Sequence, residues 1–185
     1  GDPALSAALA DLRSARRERL IETARRLAAL GPSLEDAVAA FPESASLGRR
    51  HLARLLIDRG HARSLYGAFT GWLARPELAD VPKRRLPVAD ALALVRGAGG
   101  VASWAHPPAG VNLRTLEQLR DAGLAAVECA YPWPSRAQEA RLRQLAGAAG
   151  LAVTGGSDSH DPDPPARAVG ARSVTLDELA RIRAL

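Results

Sequence analysis

Apolar and polar positions follow a helical rhythm up to about residue 87. Leucines recur on one face between residues 3 and 30, which predicts one long amphipathic helix ended by Gly31-Pro32. Further apolar stretches predict shorter helices over residues 33–40, 46–58 and 65–73. Strand signals are scarce in this part of the chain. Residues 1–86 are therefore predicted to form an all-helical subdomain.

The rhythm changes after Pro87 to a helix, a glycine turn and a short apolar run, repeated three times. The predicted helices cover residues 88–97, 113–122 and 136–149, and the apolar runs cover residues 101–105, 125–130 and 151–154. Repeated αβ units predict parallel strands and the α/β fold class for residues 87–185. A last short strand over residues 169–171 and a closing helix capped by Thr175 complete this half.

The predicted sheet has few strands for an independent domain. Three parallel strands are few for an independent sheet, because a parallel sheet is covered on both faces. The αβ half is therefore predicted to be a portion of a larger sheet or barrel. The chain also has no Met and begins with Gly, and both observations predict a part of a longer protein.

Composition and charge limit the classes of partner that the chain is predicted to bind. The 185 residues carry a net charge of +5, and Lys83 is the single lysine among 25 basic residues. Arginine favours bidentate contacts with phosphate, so the arginines permit a nucleotide or RNA partner. The alternative is that their number reflects only the base composition of the genome. No apolar run approaches about 20 residues and no signal peptide is visible, so no membrane partner and a cytoplasmic location are predicted. The single cysteine, Cys129, excludes an internal disulfide.

Candidate chemistry lies where the predicted strands end. The first strand leads into His106, and the third leads into Asp158 and His160. Because functional groups collect beyond the carboxyl ends of parallel strands, these side chains are predicted to meet. Imidazole and carboxylate suit Zn, Mn or Fe. A packing histidine and an Asx turn are the structural alternatives, whereas the Ser157 region does not fit the Gly-x-Ser-x-Gly pattern of a serine hydrolase.

Two residues in or just after the second strand are further candidates for the site. Glu128 is open between an outer-sphere partner of a metal ligand and a salt bridge at the strand end. Trp133, flanked by Pro132 and Pro134, is predicted to be exposed, where it could stack on a base. Cys129 is predicted to be a small buried side chain.

Three segments together resemble a known family. They are Ala105-His106-Pro107 after Gly99-Gly100-Val101, Thr154-Gly155-Gly156-Ser157-Asp158-Ser159-His160, and Leu47-Gly48-Arg49-Arg50-His51-Leu52-Ala53-Arg54-Leu55-Leu56. The first two resemble the C-terminal half of a PHP (polymerase and histidinol phosphatase) domain. The third is similar to the helical insertion of the TrpH/YciV-like metal-dependent phosphoesterases, as is Val81-Pro82-Lys83.

The resemblance implies the C-terminal portion of a distorted (β/α)7 barrel (87–185) preceded by a helical insertion (1–86). It implies a phosphoesterase that hydrolyses phosphate esters of nucleotides or short RNA by attack of a metal-bound hydroxide. One or more divalent ions, Mn, Zn or Fe, are implied as cofactors. The implied metal ligands are His106, Asp158 and His160, and the implied substrate-binding residues are Arg49, His51 and Lys83.

Departures from the family keep a second hypothesis open. The family's opening His-x-His motif is not among the 185 residues, and Ser159, Asp161 and Pro134 differ from the usual pattern. The alternative is a partial or degenerate PHP-like chain that binds a nucleotide or another partner without catalysis. A third hypothesis is an arginine-rich helical module for nucleic acid, which predicts binding that falls with salt and ignores metal.

Overall fold

The computed structural model describes residues 1–43, 45–159 and 165–185. The chain divides into two compact units, Gly1–Leu86 and Pro87–Leu185. The first contains helices and no strand among its described residues, and the second contains a parallel sheet with helices. The predicted α/β class with parallel strands after an all-helical part is confirmed. The assignment of the first unit as a barrel insertion and of the second as half a barrel stays a prediction.

Helices of unequal length build the first unit. They are α1 (Pro3–Ala28), α2 (Glu35–Ala39), α3 (Arg49–Asp58), the short α4 (Leu65–Gly67), a π-helical turn (Ala68–Trp72) and a 3₁₀ turn (Pro76–Leu78). Asp2 caps α1 by accepting a hydrogen bond from the Leu5 N–H at 2.8 Å, and Pro3 occupies the first helical position. At the start of α3, the Nδ1 atom of His51 accepts a hydrogen bond from the Gly48 N–H at 3.2 Å.

The core of the first unit lies against the second half of α1. Leu20, Ala24 and Leu27 of that helix are buried, and they belong to one cluster with Leu52 and Leu56 of α3. Leu9, in the first half of the same helix, is 49% exposed. Leu5 and Leu12, which lie on the predicted apolar face, are only partly buried, so that face is fully buried within this unit only in the C-terminal half of α1.

The second unit repeats helix and strand as predicted. Its elements are α5 (Val88–Gly97), β1 (Ser103–Trp104), α6 (Leu113–Asp121), β2 (Ala126–Ala130), α7 (Arg136–Ala148), β3 (Ala152–Gly155), a 3₁₀ turn (Pro165–Arg167) and α8 (Leu176–Arg183). The three strands are parallel in the order β1-β2-β3. Since all three run in one direction, their carboxyl ends lie at one edge of the sheet, where His106 and Asp158 follow.

The central strand β2 is buried on both faces. Ala126, Val127, Cys129 and Ala130 are at most 2% exposed, and the strand packs in one core with Leu116 of α6 and Leu142 of α7. Burial on both faces is the environment of a strand in a parallel sheet covered by helices. The expected burial of Cys129 is confirmed.

The end of the chain differs in one element from the sequence prediction. Residues 169–171 are turn and bend, not a strand: Val169 is 89% exposed and Gly170 has a φ of +87°. That φ belongs to the left-handed region, outside the β region that the residues of a regular strand occupy. Thr175 caps α8 in a capping box with Glu178, as the sequence predicts.

The buried Cys129 thiol gives a first testable prediction. Burial raises the pKa of this thiol to about 11, so the reactive thiolate is scarce near neutral pH. We expect iodoacetamide to leave the folded chain unmodified at a pH of about 8 and to alkylate it fully in denaturant. Mass spectrometry of both samples measures the difference. Equal modification of both samples would contradict the burial of Cys129.

Candidate metal centre at the carboxyl edge of the sheet

Two of the predicted ligands follow the outer strands in an uncommon backbone conformation. His106, after β1, has a φ of +51°, and Asp158, after β3, has a φ of +48°. They are the only described non-glycine residues with positive φ. Such a conformation costs about 1–3 kcal/mol and clusters at functional sites, where the surrounding structure holds it in place. The strained backbone at this edge of the sheet is therefore found at His106 and Asp158, two of the ligands predicted from the sequence.

The side chains of these residues meet around the carboxylate of Glu128 in β2. The Nε2 atom of His106 lies 3.3 Å from Glu128 Oε2 and 3.8 Å from Asp158 Oδ1. The backbone N–H of His106 donates to the same Glu128 oxygen at 2.9 Å. Glu128 thus contacts both the backbone N–H and the ring of His106.

Two aromatic rings enclose the imidazole of His106. Tyr131 stacks on it with ring centroids 5.4 Å apart, and Trp133 meets it edge to face at 5.0 Å. The Tyr131 hydroxyl donates to the carbonyl oxygen of Pro107 at 2.7 Å, and burial raises the pKa of this hydroxyl. Trp133 is 58% exposed, which confirms the prediction of its exposure. One wall of the site is therefore rigid and apolar, with an open indole at its rim.

Arg167 completes the described part of the site, and sequence reasoning missed it. Its Nη2 atom lies 2.8 Å from Asp158 Oδ2 and also donates to the backbone oxygen of Asp158. Its guanidinium lies 5.3 Å from the centre of the Trp133 ring. No motif marks Arg167, because the turn that brings it back to the sheet edge follows a proline-rich stretch without periodicity. The arginine links the acidic and the aromatic sides of the site.

Gly155, at the end of β3, has a steric role. A Cβ atom there would lie 2.8 Å from both the Cβ and the carbonyl oxygen of Ala130 in β2. The next residue, Gly156, donates its N–H to that carbonyl at 2.9 Å. The sequence predicts that the Gly155-Gly156 pair allows a sharp turn and a close approach to a ligand. In the structure the close approach of Gly155 is to the neighbouring strand, at the irregular register between Glu128 and Ala130.

The side chains at this edge of the sheet are of the types that bind a divalent ion, but only two of the predicted ligands are described. Imidazole and carboxylate groups are the ligands of borderline metals. Among residues 1–43, 45–159 and 165–185, however, no three His, Cys, Asp or Glu side chains are arranged to hold an ion. The third predicted ligand, His160, lies outside the described residues. His106 and Asp158 are therefore the described members of the predicted ligand set.

The predicted phosphate-binding residues do not share one surface within the first unit. The His51 ring interacts with the backbone of Gly48 and packs edge to face on Phe41. Arg49 donates to the Leu73 carbonyl and borders one cavity, whereas Lys83 borders another. Arg19 of α1 borders both cavities. Their role in binding phosphate stays a prediction.

A second prediction concerns the support that Glu128 gives to His106. Replacing Glu128 with alanine removes the acceptor of the His106 backbone N–H. We expect the free energy of unfolding to fall by about 0.5–1.5 kcal/mol, since the hydrogen bond is exposed and its N–H can donate to water instead. Urea denaturation measures the change. The matched control, Glu117→Ala on α6, removes no hydrogen bond or ion pair among the described residues. An equal loss in both variants would contradict this role of Glu128.

Known proteins resemble this chain in sequence. No family model matches it. It is 31% identical over 176 residues to a 3′,5′-nucleoside bisphosphate phosphatase of Chromobacterium violaceum, covering 91% of this chain and 62% of the relative. It is 30% identical over 128 residues to the 5′-3′ exoribonuclease Rnm of Escherichia coli, covering 66% of this chain and 43% of that enzyme. The chain thus spans less than two thirds of the length of either relative.

Solved structures resemble the fold. One from Bifidobacterium adolescentis, named as a metal-dependent phosphoesterase, superposes with a TM-score of 0.80 at 27% identity, covering 97% of this chain and 65% of the other. An amidohydrolase from Chromobacterium violaceum, solved with sulfate and without metal, gives a TM-score of 0.78 at 27% identity, covering 98% of this chain and 68% of the other. The chain is therefore similar to metal-dependent phosphoesterases in both sequence and fold.

None of the described helices is both long and apolar enough to span a membrane.

Proposed function

We propose that this chain is part of a PHP-family phosphoesterase that hydrolyses phosphate esters of nucleotides or short RNA with a divalent metal ion. The observation that carries the proposal is the meeting of His106, Asp158 and Glu128 at the carboxyl edge of a parallel sheet, with the two described members of the predicted ligand set at positive φ. The names of the relatives support the same chemistry, since two act on a nucleoside bisphosphate or RNA.

Each residue of the site takes a defined role in this proposal. His106, Asp158 and His160 hold the metal, which is Mn, Zn or Fe. When bound, a divalent ion activates water and offsets the negative charge of the phosphoryl oxygens. Glu128 holds the segment after β1 in place by accepting a hydrogen bond from the His106 backbone N–H. Arg167 positions the carboxylate of Asp158.

The remaining groups bind the substrate. Trp133 offers an exposed indole beside His106, on which a base stacks. Within the helical unit, Arg49, His51 and Lys83 are separately assigned as phosphate contacts, and the positive net charge of +5 favours the approach of an anion. An exposed indole and a net positive charge favour a substrate that combines a base with at least one phosphate group.

A second candidate function is nucleotide binding without hydrolysis. It is favoured by one observation: the described part of the chain contains no three side chains arranged to hold a metal. His106 is instead engaged by Glu128 and by two aromatic rings. In this candidate the rings of Tyr131 and Trp133, together with Arg167 beside them, bind the ligand, and no phosphate is released.

Phosphate release distinguishes the two candidates. The chain is incubated with adenosine 3′,5′-bisphosphate, AMP or a short 5′-phosphorylated RNA, with Mn²⁺, with Zn²⁺ or with EDTA. The proposal predicts release of inorganic phosphate or nucleotide that requires the metal and stops with EDTA. Binding of the nucleotide without release under every condition would support the second candidate and overturn the first.

A further inference from the structure

One cavity in the helical unit is lined by positively charged side chains. It lies between α1, the start of α3 and the segment that follows the π-helical turn, and its volume is about 320 Å³. Three arginines line it, namely Arg19, Arg49 and Arg75, and no carboxylate is among its lining residues. The volume lies in the range of about 300–1,000 Å³ found for small-molecule sites. Uncompensated like charges around one cavity favour an anionic ligand.

Among the three arginines, Arg19 has the fewest polar partners for its guanidinium. Its Nε atom is buried and has no hydrogen-bond partner, and within the described residues its guanidinium makes no ion pair. The carboxylates next to it on α1 are engaged elsewhere: Glu22 pairs with Arg25 and Arg26, and Glu18 accepts from Ser14. A buried donor on a charged group is costly without a partner. Arg19 as a whole is half-buried and borders the cavity, so an anion bound there would offset its positive charge.

Arg49 and Arg75 are held at the cavity by their other contacts. Arg49 donates to the Leu73 carbonyl, and its guanidinium lies 5.5 Å from the centre of the Phe69 ring. Arg75 donates to the Gly71 carbonyl at 3.2 Å, with its guanidinium 4.4 Å from the centre of a tryptophan ring. Each guanidinium has five N–H donors, so both keep donors for a ligand. The acceptors and rings belong to the π-helical turn or adjoin it, and such turns are frequent at functional sites.

We infer that Arg19, Arg49 and Arg75 form a phosphate-binding site in the helical unit. Phosphate is the anion that fits, because its oxygens accept from several guanidinium forks at once. Arg19 and Arg75 are new assignments, whereas Arg49 is already a proposed substrate contact. The choice of a nucleotide as the source of the phosphate rests on the proposed function. The anion site itself does not, since it contains no metal ligand.

Binding without metal tests this site separately from hydrolysis. Pyrophosphate and AMP are titrated calorimetrically into the chain in EDTA, with adenosine as the uncharged probe. We expect both anions to bind and adenosine to bind more weakly. Arg19→Gln is expected to lower the affinity for pyrophosphate about tenfold or more, because charged hydrogen bonds are lost from a partly buried site. Arg13→Gln, on the exposed face of the same helix, removes the same charge and is the matched control.

The outcomes separate the two proposals. No binding of either anion, or equal losses in Arg19→Gln and Arg13→Gln, would overturn the cavity assignment and leave the metal-dependent hydrolysis untouched. Asp158→Ala is expected to retain pyrophosphate binding in EDTA, and loss of that binding would also overturn the assignment. If circular dichroism shows that Arg19→Gln does not fold, Arg75→Gln decides by the same criterion against Arg13→Gln.

Discussion

Replacing Asp158 with alanine is expected to lower the rate of metal-dependent phosphate release about 100-fold or more. A lost ligand weakens both the binding of the metal and its stabilisation of the phosphoryl charge, and about 2.7 kcal/mol in the barrier is enough for that factor. Asp158 is a strong test because its backbone lies at a φ of +48° and its carboxylate faces both His106 and Arg167. Initial rates at saturating Mn²⁺ measure the effect.

The control for this substitution is Asp121→Ala. Asp121 ends α6 and its carboxylate pairs with the adjacent Arg120, so its loss removes a charge without touching the sheet edge. Circular dichroism verifies that both variants fold. An Asp158→Ala variant that folds and releases phosphate as fast as Asp121→Ala would remove Asp158 from the proposed site.

Replacing Gly155 with alanine is expected to destabilise the second unit by about 1–3 kcal/mol, the range for a side chain forced into a packed site. The new methyl group would lie 2.8 Å from the Ala130 carbonyl oxygen, so β3 must move away from β2. That movement strains the hydrogen bond from the Gly156 N–H to the same carbonyl, which is 2.9 Å long. The free energy of unfolding in urea measures the loss.

Gly147→Ala is the matched control for Gly155→Ala. Gly147 is exposed in α7, and a Cβ atom there would meet nothing within 4 Å. Because alanine favours the helix, we expect this variant to be as stable as the wild type or more stable by about 0.5–1 kcal/mol. If Gly155→Ala were as stable as Gly147→Ala, the close approach of the two strands would be refuted.

Local patterns predicted the elements well, because glycine turns and capping residues act over a few residues. Thr175 caps α8 with Glu178 at the predicted position. The alternation of helix and short strand also predicted the parallel sheet, and with it the approach of His106 to Asp158. Residues 169–171 show the limit, since a short apolar run carries no information on whether a strand lies beside it.

Contacts between distant segments could not be read from the sequence. Arg167 reaches Asp158 through a turn that has no periodicity, and the hydrogen bond from the His106 backbone to Glu128 depends on the register of β1 and β2. Arg49 and His51 illustrate a second limit. They are two residues apart on one helix, and side chains at that spacing point to different faces. One borders a cavity, and the other packs on Phe41.

Calorimetric titration of Mn²⁺ and Zn²⁺ into the chain tests the central claim, a metal centre at the carboxyl edge of the sheet, most directly. The titration is repeated on the Asp158→Ala/His160→Ala double variant and on Asp121→Ala. The account predicts stoichiometric binding to the wild type and to Asp121→Ala, and its loss in the double variant. No binding to the wild type, or unchanged binding to the double variant, would contradict it.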